Sequence, residues 1–228
     1  MRTLHSVQMH ERFVASGKYQ THAPTLTNSE RWSIHQQPDD AWLVRSDEEQ
    51  TDVGYCLTEA YISAPGAALQ IERLDLLTVT YGATIHTSRS TVQFFEAYAT
   101  VGQTMHSGEH TYTEHALTPG YSVTTQSALL WGMAIARLAQ RGLTSSIAFA
   151  GGSTPLEVIA ITLTPALPSP DHPGWRRFTY PGAITDNLVI VALDAYDIAR
   201  QRAETRDTEV IQTQLTEYAR RSERQEKV

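Results

Sequence analysis

Cysteine is all but missing from this 228-residue chain. Cys56 stands alone, so neither an internal disulfide nor a thiolate-built zinc site can hold the fold together. Lysine is nearly as scarce, with Lys18 and Lys227 against sixteen arginines. Planar guanidinium groups suit an anionic partner, but the same bias arises from genome-wide coding preference, and the charge balance favours the latter. Positive charge is in deficit overall: 18 Lys plus Arg face 25 Asp plus Glu, a net −7. Nucleic acid is thereby disfavoured as a partner, because its affinity rests on basic phosphate contacts. Long apolar runs are missing too. The longest, Ala128 to Ala136, falls far short of the ~20 residues of a spanning helix. Met1 to Gln20 shows no basic-then-apolar leader, being interrupted by His5, Gln8, His10, Glu11 and Arg12. A soluble, cytoplasmic chain with no membrane span is expected.

What is present points to strands. The chain is 41% hydrophobic, and at this length roughly 70% of the unfolded surface can be buried, so neither disulfides nor metal are required. Threonine occurs 28 times, and β-branched residues favour pleated surfaces. From Glu11 to Val101 the pattern is β: Trp32 and Ile34 alternate with Arg31, Ser33 and His35, and Gln37-Pro38-Asp39-Asp40 turns the chain back into Trp42 to Arg45. Further strands are expected at Gly54 to Ile62, Leu69 to Tyr81 and Thr84 to Tyr98, with a hairpin from Gln103 to Leu117 around Ser107-Gly108. One helix is expected over about 124–141, capped by Thr124 or Thr125 and stopped by Gly142. It carries no charge before Arg137 and is apolar nearly all round, as befits a helix clasped by a sheet. Strands resume at Ser146 to Ala150 and Leu156 to Leu163, around a turn at Gly151-Gly152-Ser153, and again at Arg176 to Tyr180, Asn187 to Asp194 and Thr208 to Tyr218. Four prolines between 165 and 173 mark a loop. The expected organisation is a single β-rich domain over 1–218, followed by a charged, flexible tail over 219–228.

Candidate chemistry is sparse. His106, His110 and His115 with Glu109 and Glu114 suggest a metal site. On one strand, however, His110 and Glu114 stand about 13 Å apart at roughly 3.3 Å per residue, and His115 points the other way. No metal and no cofactor are therefore expected. Phe149 to Pro155 lacks the residues of a phosphate loop or a nucleophile elbow and reads as a turn. Glu72, Asp75 and Asp194 could serve acid–base work, or simply lie on exposed faces and strand ends. Arg73 shares the parity of Leu69, Ile71, Leu77 and Val79, so an inward guanidinium would need an ion-pair partner or an anionic ligand group. Arg177 offers a similar, more exposed choice. Trp32, Trp42, Phe94 and Trp131 fall where sheet and helix meet, and would either line an apolar pocket or fill a solid core.

The order of hairpins, one apolar helix and returning strands resembles a group of bacterial antiparallel half-barrel proteins, among them periplasmic lipoprotein carriers and glycolipid-binding proteins. The likeness spans roughly residues 10–218. It rests on Glu30-Arg31-Trp32-Ser33-Ile34, on the hairpin exit from Tyr112 to Tyr121, on Phe178-Thr179-Tyr180-Pro181-Gly182, on Val191-Ala192-Leu193-Asp194 and on the closing Leu-Thr-Glu-Tyr strand. The resemblance implies a strongly curved antiparallel sheet wrapping one central helix, in a mainly β (β-rich α+β) fold, with a cavity for a lipophilic ligand. Three functional expectations follow. The first is non-enzymatic binding of a lipid-like or other apolar small molecule at Trp32, Trp42, Arg73, Phe94, Trp131 and Arg177. The second is an enzyme using His110 or His115 with a carboxylate, or a metal site, in the same cavity. The third is a structural or interaction module with a filled core that forms a homodimer through a sheet edge or the Thr-rich face.

Overall fold

A computed structural model describes residues 1–23, 26–63, 70–142, 144–151, 156–181, 188–206 and 209–221. The first eight strands run as consecutive antiparallel hairpins: β1 (Arg12–Ala23), β2 (Leu26–Gln36), β3 (Trp42–Gln50), β4 (Gly54–Ile62), β5 (Ile71–Thr80), β6 (His86–Phe94), β7 (Tyr98–Met105) and β8 (His110–Ala116). The chain then turns inward through β9 (Ser122–Thr124), α1 (Ala128–Arg141), β10 (Thr144–Ala150) and β11 (Leu156–Thr162). It returns through β12 (Thr164–Ala166), β13 (Arg176–Pro181), β14 (Leu188–Leu193), β15 (Ala199–Arg206) and β16 (Glu209–Arg220). The last strand pairs with the first. One thirteen-stranded sheet results, in the order β12-β13-β14-β15-β16-β1-β2-β3-β4-β5-β6-β7-β8, beside a three-stranded sheet β11-β10-β9.

The large sheet must curve. Tyr180 of β13 stacks on Trp131 of α1 with ring centroids 6.1 Å apart, while Ile62 and Ile71, from β4 and β5, line a small crevice with Met133 and Ala134 of the same helix. β13 and β5 stand eight places apart in the sheet, about 38 Å if flat at ~4.8 Å per strand. A helix is only about 10 Å across. Both ends reach it because the sheet wraps around α1 and the small sheet. Two apolar clusters fill the space, one joining β1–β7 to Leu129 and Leu130, the other joining β13 and β14 to Ile135, Leu138 and Ile147. Trp32 approaches β1 where Gly17 leaves room: a methyl group there would come within 2.5 Å of the indole.

Several expectations are corrected. The helix begins at Ala128, not 124. Ser122–Thr124 form a strand parallel to β10, as their β-branched Val and Thr favour, and Ser127 rather than Thr124 or Thr125 is the N-cap, its Oγ accepting from Leu130 N at 3.2 Å. Thr84 to Tyr98 is not one strand, because Phe95 N donates to Tyr98 O across a turn that ends β6 and starts β7. The proline loop opens with a strand, since Pro165 sits in β12, which pairs only with β13; an edge strand tolerates a residue lacking N–H. The tail does not begin at 219. Ala219 and Arg220 remain in register with Ser16 and Ala15, and Arg221 N donates to Val14 O at 2.9 Å, because the start of β1 needs backbone partners on that side. The turn expected at Gly151-Gly152-Ser153 lies outside the described residues from Gly152 on, as do residues 222–228. No helix among the described residues is long and apolar enough to cross a membrane.

Candidate functional site

Strand alternation places Asn28, Glu30, Trp32 and Ile34 of β2 on the inner face, toward α1, and does the same for Val44, Ser46 and Glu48 of β3. The inner face is apolar beneath the body of the helix and turns polar at its N-terminus. There Glu30, 4% exposed, accepts from Ser46 Oγ at 2.9 Å and Ser127 Oγ at 2.5 Å on Oε1, and from Ala128 N at 2.6 Å on Oε2. The first turn of α1 holds no acid of its own. Glu30 supplies one from the sheet, satisfying an otherwise unpaired N–H and the positive end of the helix dipole.

Beside this contact a cavity of about 370 Å³ separates the large sheet from the inner layer. Its sheet wall is a polar ladder across neighbouring strands: Glu48 and Gln50, then Asn28 and Glu30, Thr21, Thr213, and Arg202 with Glu204. Its other wall is largely apolar, with Trp131 from α1, Phe149 from β10 and Ile159 from β11; Tyr180 and Val189 close one end.

The electrostatics of the sheet wall are unusual for a buried surface. Glu30 and Glu48 are cross-strand neighbours on one face, a like-charge pairing that costs stability. Burial, reinforced by Glu48, pushes the Glu30 acid up to about 7. Burial also raises Glu48, against the pull of Asn28, whose Nδ2 donates to Oε1 at 2.6 Å, and of Arg202. Arg202 itself pairs with Glu204 at 3.0 Å and lies 5.6 Å over the Trp131 ring. Tyr180, 2% exposed, is raised by burial and lowered less by nearby Arg202. Its hydroxyl is shut off from the surface, and Arg202 is the side chain that hydrogen-bonds to it. Cys56 is the cross-strand neighbour of Glu48, and burial pushes its thiol up to about 11. It behaves as a small apolar residue rather than a nucleophile.

Of the six residues expected to bind ligand, Trp131 alone lines this cavity. Trp32 is core, between Tyr19 and Tyr218, with an edge on a wider, shallower hollow of about 530 Å³ beside the β1–β16 bulge. Phe94 packs with Tyr121, and Trp42 packs against the first apolar cluster. Arg177 donates to Leu167 O at 3.2 Å. Arg73 does not face inward: it is exposed on the outer face, ion-paired with Asp75 at 2.9 Å. A bulge sets Ile71 opposite Ile62 but Arg73 opposite Tyr61. The extra residue, Glu72, reverses the parity on which the inward placement rested. His110 and His115 of the second expectation lie on β8, bonded to Thr104 and Thr113, remote from the cavity in sheet order. Among the described residues no three His, Cys, Asp or Glu side chains converge to hold a metal ion.

Sequence reasoning missed Glu30, Glu48, Arg202 and Tyr180. For Glu30 a signal was present, since it shares parity with Trp32 and Ile34. No family model matches this chain, and no curated protein does. Among solved structures it is similar to a beta-barrel-like protein of a domain of unknown function from Brucella abortus, at TM-score 0.56 and 9% identity, over 93% of this chain and 100% of that one. At that identity the likeness carries the fold alone: a mostly antiparallel, barrel-like sheet around one helix.

Proposed function

We propose that this protein is a small-molecule binding protein whose interior cavity takes a ligand with an apolar body. The carrying observation is the cavity itself. At about 370 Å³ it falls within the roughly 300–1,000 Å³ of ligand sites, and it has their composition, an apolar wall with a few placed polar groups. Trp131, Phe149 and Ile159 offer the apolar contact; Asn28, Glu48 and the Tyr180 hydroxyl offer orientation. The lipid- or glycolipid-carrying role of the half-barrel proteins is compatible with this shape.

A second reading, an acid–base enzyme, is favoured by the Glu30–Glu48 pair, since a carboxyl titrating near neutral pH can hold and pass a proton. Binding is preferred because Glu30 is already engaged by three donors at the helix start, which fixes it as a structural group. What supports a homodimer reading is β8, an edge strand exposed along almost its whole length.

Nile red, a neutral apolar dye, tests the binding reading. Saturable fluorescence enhancement is expected with the unaltered chain, weakened about tenfold or more by Ile159→Trp, which fills the cavity. Absence of saturable binding, together with native mass spectra showing no retained small molecule, overturns it.

A further inference from the structure

The charge of the cavity decides which apolar molecules it can accept. Three carboxylates, Glu30, Glu48 and Glu204, share its sheet wall with one cation, Arg202, and that cation is committed to Glu204 at 3.0 Å. Among the described residues neither Glu30 nor Glu48 has a salt-bridge partner within 4 Å. On the outer face of the same strands, by contrast, Asp47 and Glu59 pair with Arg2 and Arg45. The two inner acids oppose each other across β2 and β3, so each pays for the other's charge. A separate observation sits beside Glu48: Asn28, whose Nδ2 donates to Glu48, lines the same cavity with its Oδ1 shut off from the surface and without a hydrogen-bond partner among the described residues. Buried polar groups of that kind are normally satisfied.

We propose that the cavity selects ligands carrying an ammonium group on an apolar body, the ammonium seated against Glu48, with the charge of neighbouring Glu30 behind it, and the body against Trp131, Phe149 and Ile159. This rests on the binding reading above and narrows it. An ammonium exchanges repulsion between two carboxylates for attraction to both, and supplies the N–H donors that Glu48 and Asn28 Oδ1 can accept. A carboxylate ligand of the same shape meets like charge in a desolvated space and is rejected. Fatty acids are thereby excluded, and amines with aliphatic or aromatic bodies become the expected class.

Seating the ammonium also moves a proton. In the empty cavity one acid of the pair keeps its proton near neutral pH; the incoming cation favours the carboxylate, and the proton passes to the buffer. The groups facing the pair do not compete for this role. Tyr19 on β1 and Tyr180 on β13 are raised by burial, and Cys56 on β4 is held at about 11, so all three stay neutral from pH 5.5 to 8. Arg202 and Glu204 on β15 are ion-paired, and Glu157 on β11 is exposed. Helix α1 brings only backbone N–H groups and the Ser127 hydroxyl.

Isothermal titration calorimetry of the full chain with octylamine, octanol and octanoate provides the test. At pH 8 octylamine is expected to bind about tenfold or more tighter than octanol, and octanoate weaker than both. The amine preference should shrink at pH 5.5, and Glu48→Gln should bring the octylamine-to-octanol ratio close to one. Heats measured at pH 7 in two buffers of different ionisation enthalpy should show proton release with octylamine and none with octanol. Equal binding of amine and alcohol, or tightest binding of octanoate, overturns the ammonium site while leaving the cavity as a binding site. Failure of all three probes, with Nile red also unbound, removes the binding reading and this one with it. Should Glu48→Gln fail to fold, the pH series and the proton release of the unaltered chain decide the matter alone.

Discussion

On the outer face of β3 and β4, Arg45 lies 1% exposed between Glu11, at 2.6 Å, and Glu59, at 3.1 Å. The N-terminal segment seals this surface: the Arg2 backbone and side chain donate to Asp47, and His5 N and Nδ1 reach Glu59. One residue beyond Asp47, on the inner face, Glu48 and its neighbour Glu30 have no ion-pair partner within 4 Å among the described residues, and Arg202 acts on Glu48 only from farther away. The consequence for their protons is opposite. Glu11 is held below the ordinary carboxylate range, chiefly by its hydrogen bond from Arg45, whereas Glu30 is pushed up to about 7, chiefly by burial. Acids on the outer face are part of a closed ionic network that holds the first strand to the sheet. On the inner face Glu204 takes Arg202, while Glu30 and Glu48 have no ion-pair partner within 4 Å among the described residues and stand beside an open volume, which is the arrangement of a surface awaiting a ligand.

The contrast is broken most severely at Arg45. Arg45→Ala removes the cation and leaves Glu11 and Glu59 buried side by side. A loss of about 3–5 kcal/mol is expected, read from urea unfolding monitored by circular dichroism. A loss below about 1 kcal/mol would mean that the outer network contributes as little as exposed ion pairs do.

The next effect is the opposite pH dependence of the two faces. Glu30 is raised from an unfolded value near 4.5, so between about 4.5 and about 7 the native state holds a proton that the unfolded chain has released. Stability therefore falls as pH rises through that window, by about 3 kcal/mol at most at ~1.36 kcal/mol per unit. Glu11 acts in reverse. Its contribution is present above about 4.5 and lost as pH falls through its lower native value. Unfolding free energies of the ligand-free protein at pH 5 and pH 8 should show the inner effect, and Glu30→Gln should flatten it. A slope unchanged by that substitution would separate Glu30 from the titration.

A smaller effect sharpens the inner face alone. Ser127→Ala deletes the cap to Leu130 N and a donor to Glu30, costing about 1 kcal/mol. Because that hydrogen bond also restrains the Glu30 acid, the variant should lose more stability at pH 8 than at pH 5. Equal losses at the two pH values would mean that Ser127 acts on the helix only.

The same two faces explain what could be read from the chain beforehand. Where the inner face meets the helix body it is apolar, and Trp32-x-Ile34 and Leu129-Leu130 announce strand and helix directly. Where it meets the cavity it is polar, and the alternation disappears. β15 went unrecognised for that reason: its inward residues, Arg202 and Glu204, look no different in sequence from outward ones. Glu48 was hidden likewise within the acidic run Asp47-Glu48-Glu49, whose members point alternately out and in. The seam between β1 and β16 joins residues some 200 positions apart, a pairing that no local pattern records. A cavity with polar walls conceals itself from hydrophobic periodicity by the property that makes it useful.

Arg73 carries the smallest expected effect and the sharpest distinction between the faces. By sequence parity it belongs inside; by the bulge at Glu72 it lies outside, its side chain 45% exposed beside Asp75. An exposed ion pair contributes at most about 1 kcal/mol, and Asp75 keeps the hydroxyl of Thr91 at 2.7 Å when the arginine is gone. Arg73→Ala should accordingly cost less than about 1 kcal/mol in urea unfolding and leave Nile red affinity within twofold of the unaltered chain. Were Arg73 an inward ligand-gripping residue, both numbers would move together: stability by the several kcal/mol expected at Arg45, and dye affinity with it. A large joint change would return Arg73 to the inner face and place the bulge elsewhere; a small stability change with unaltered binding keeps Arg73 on the ionic outer surface and the bulge at Glu72.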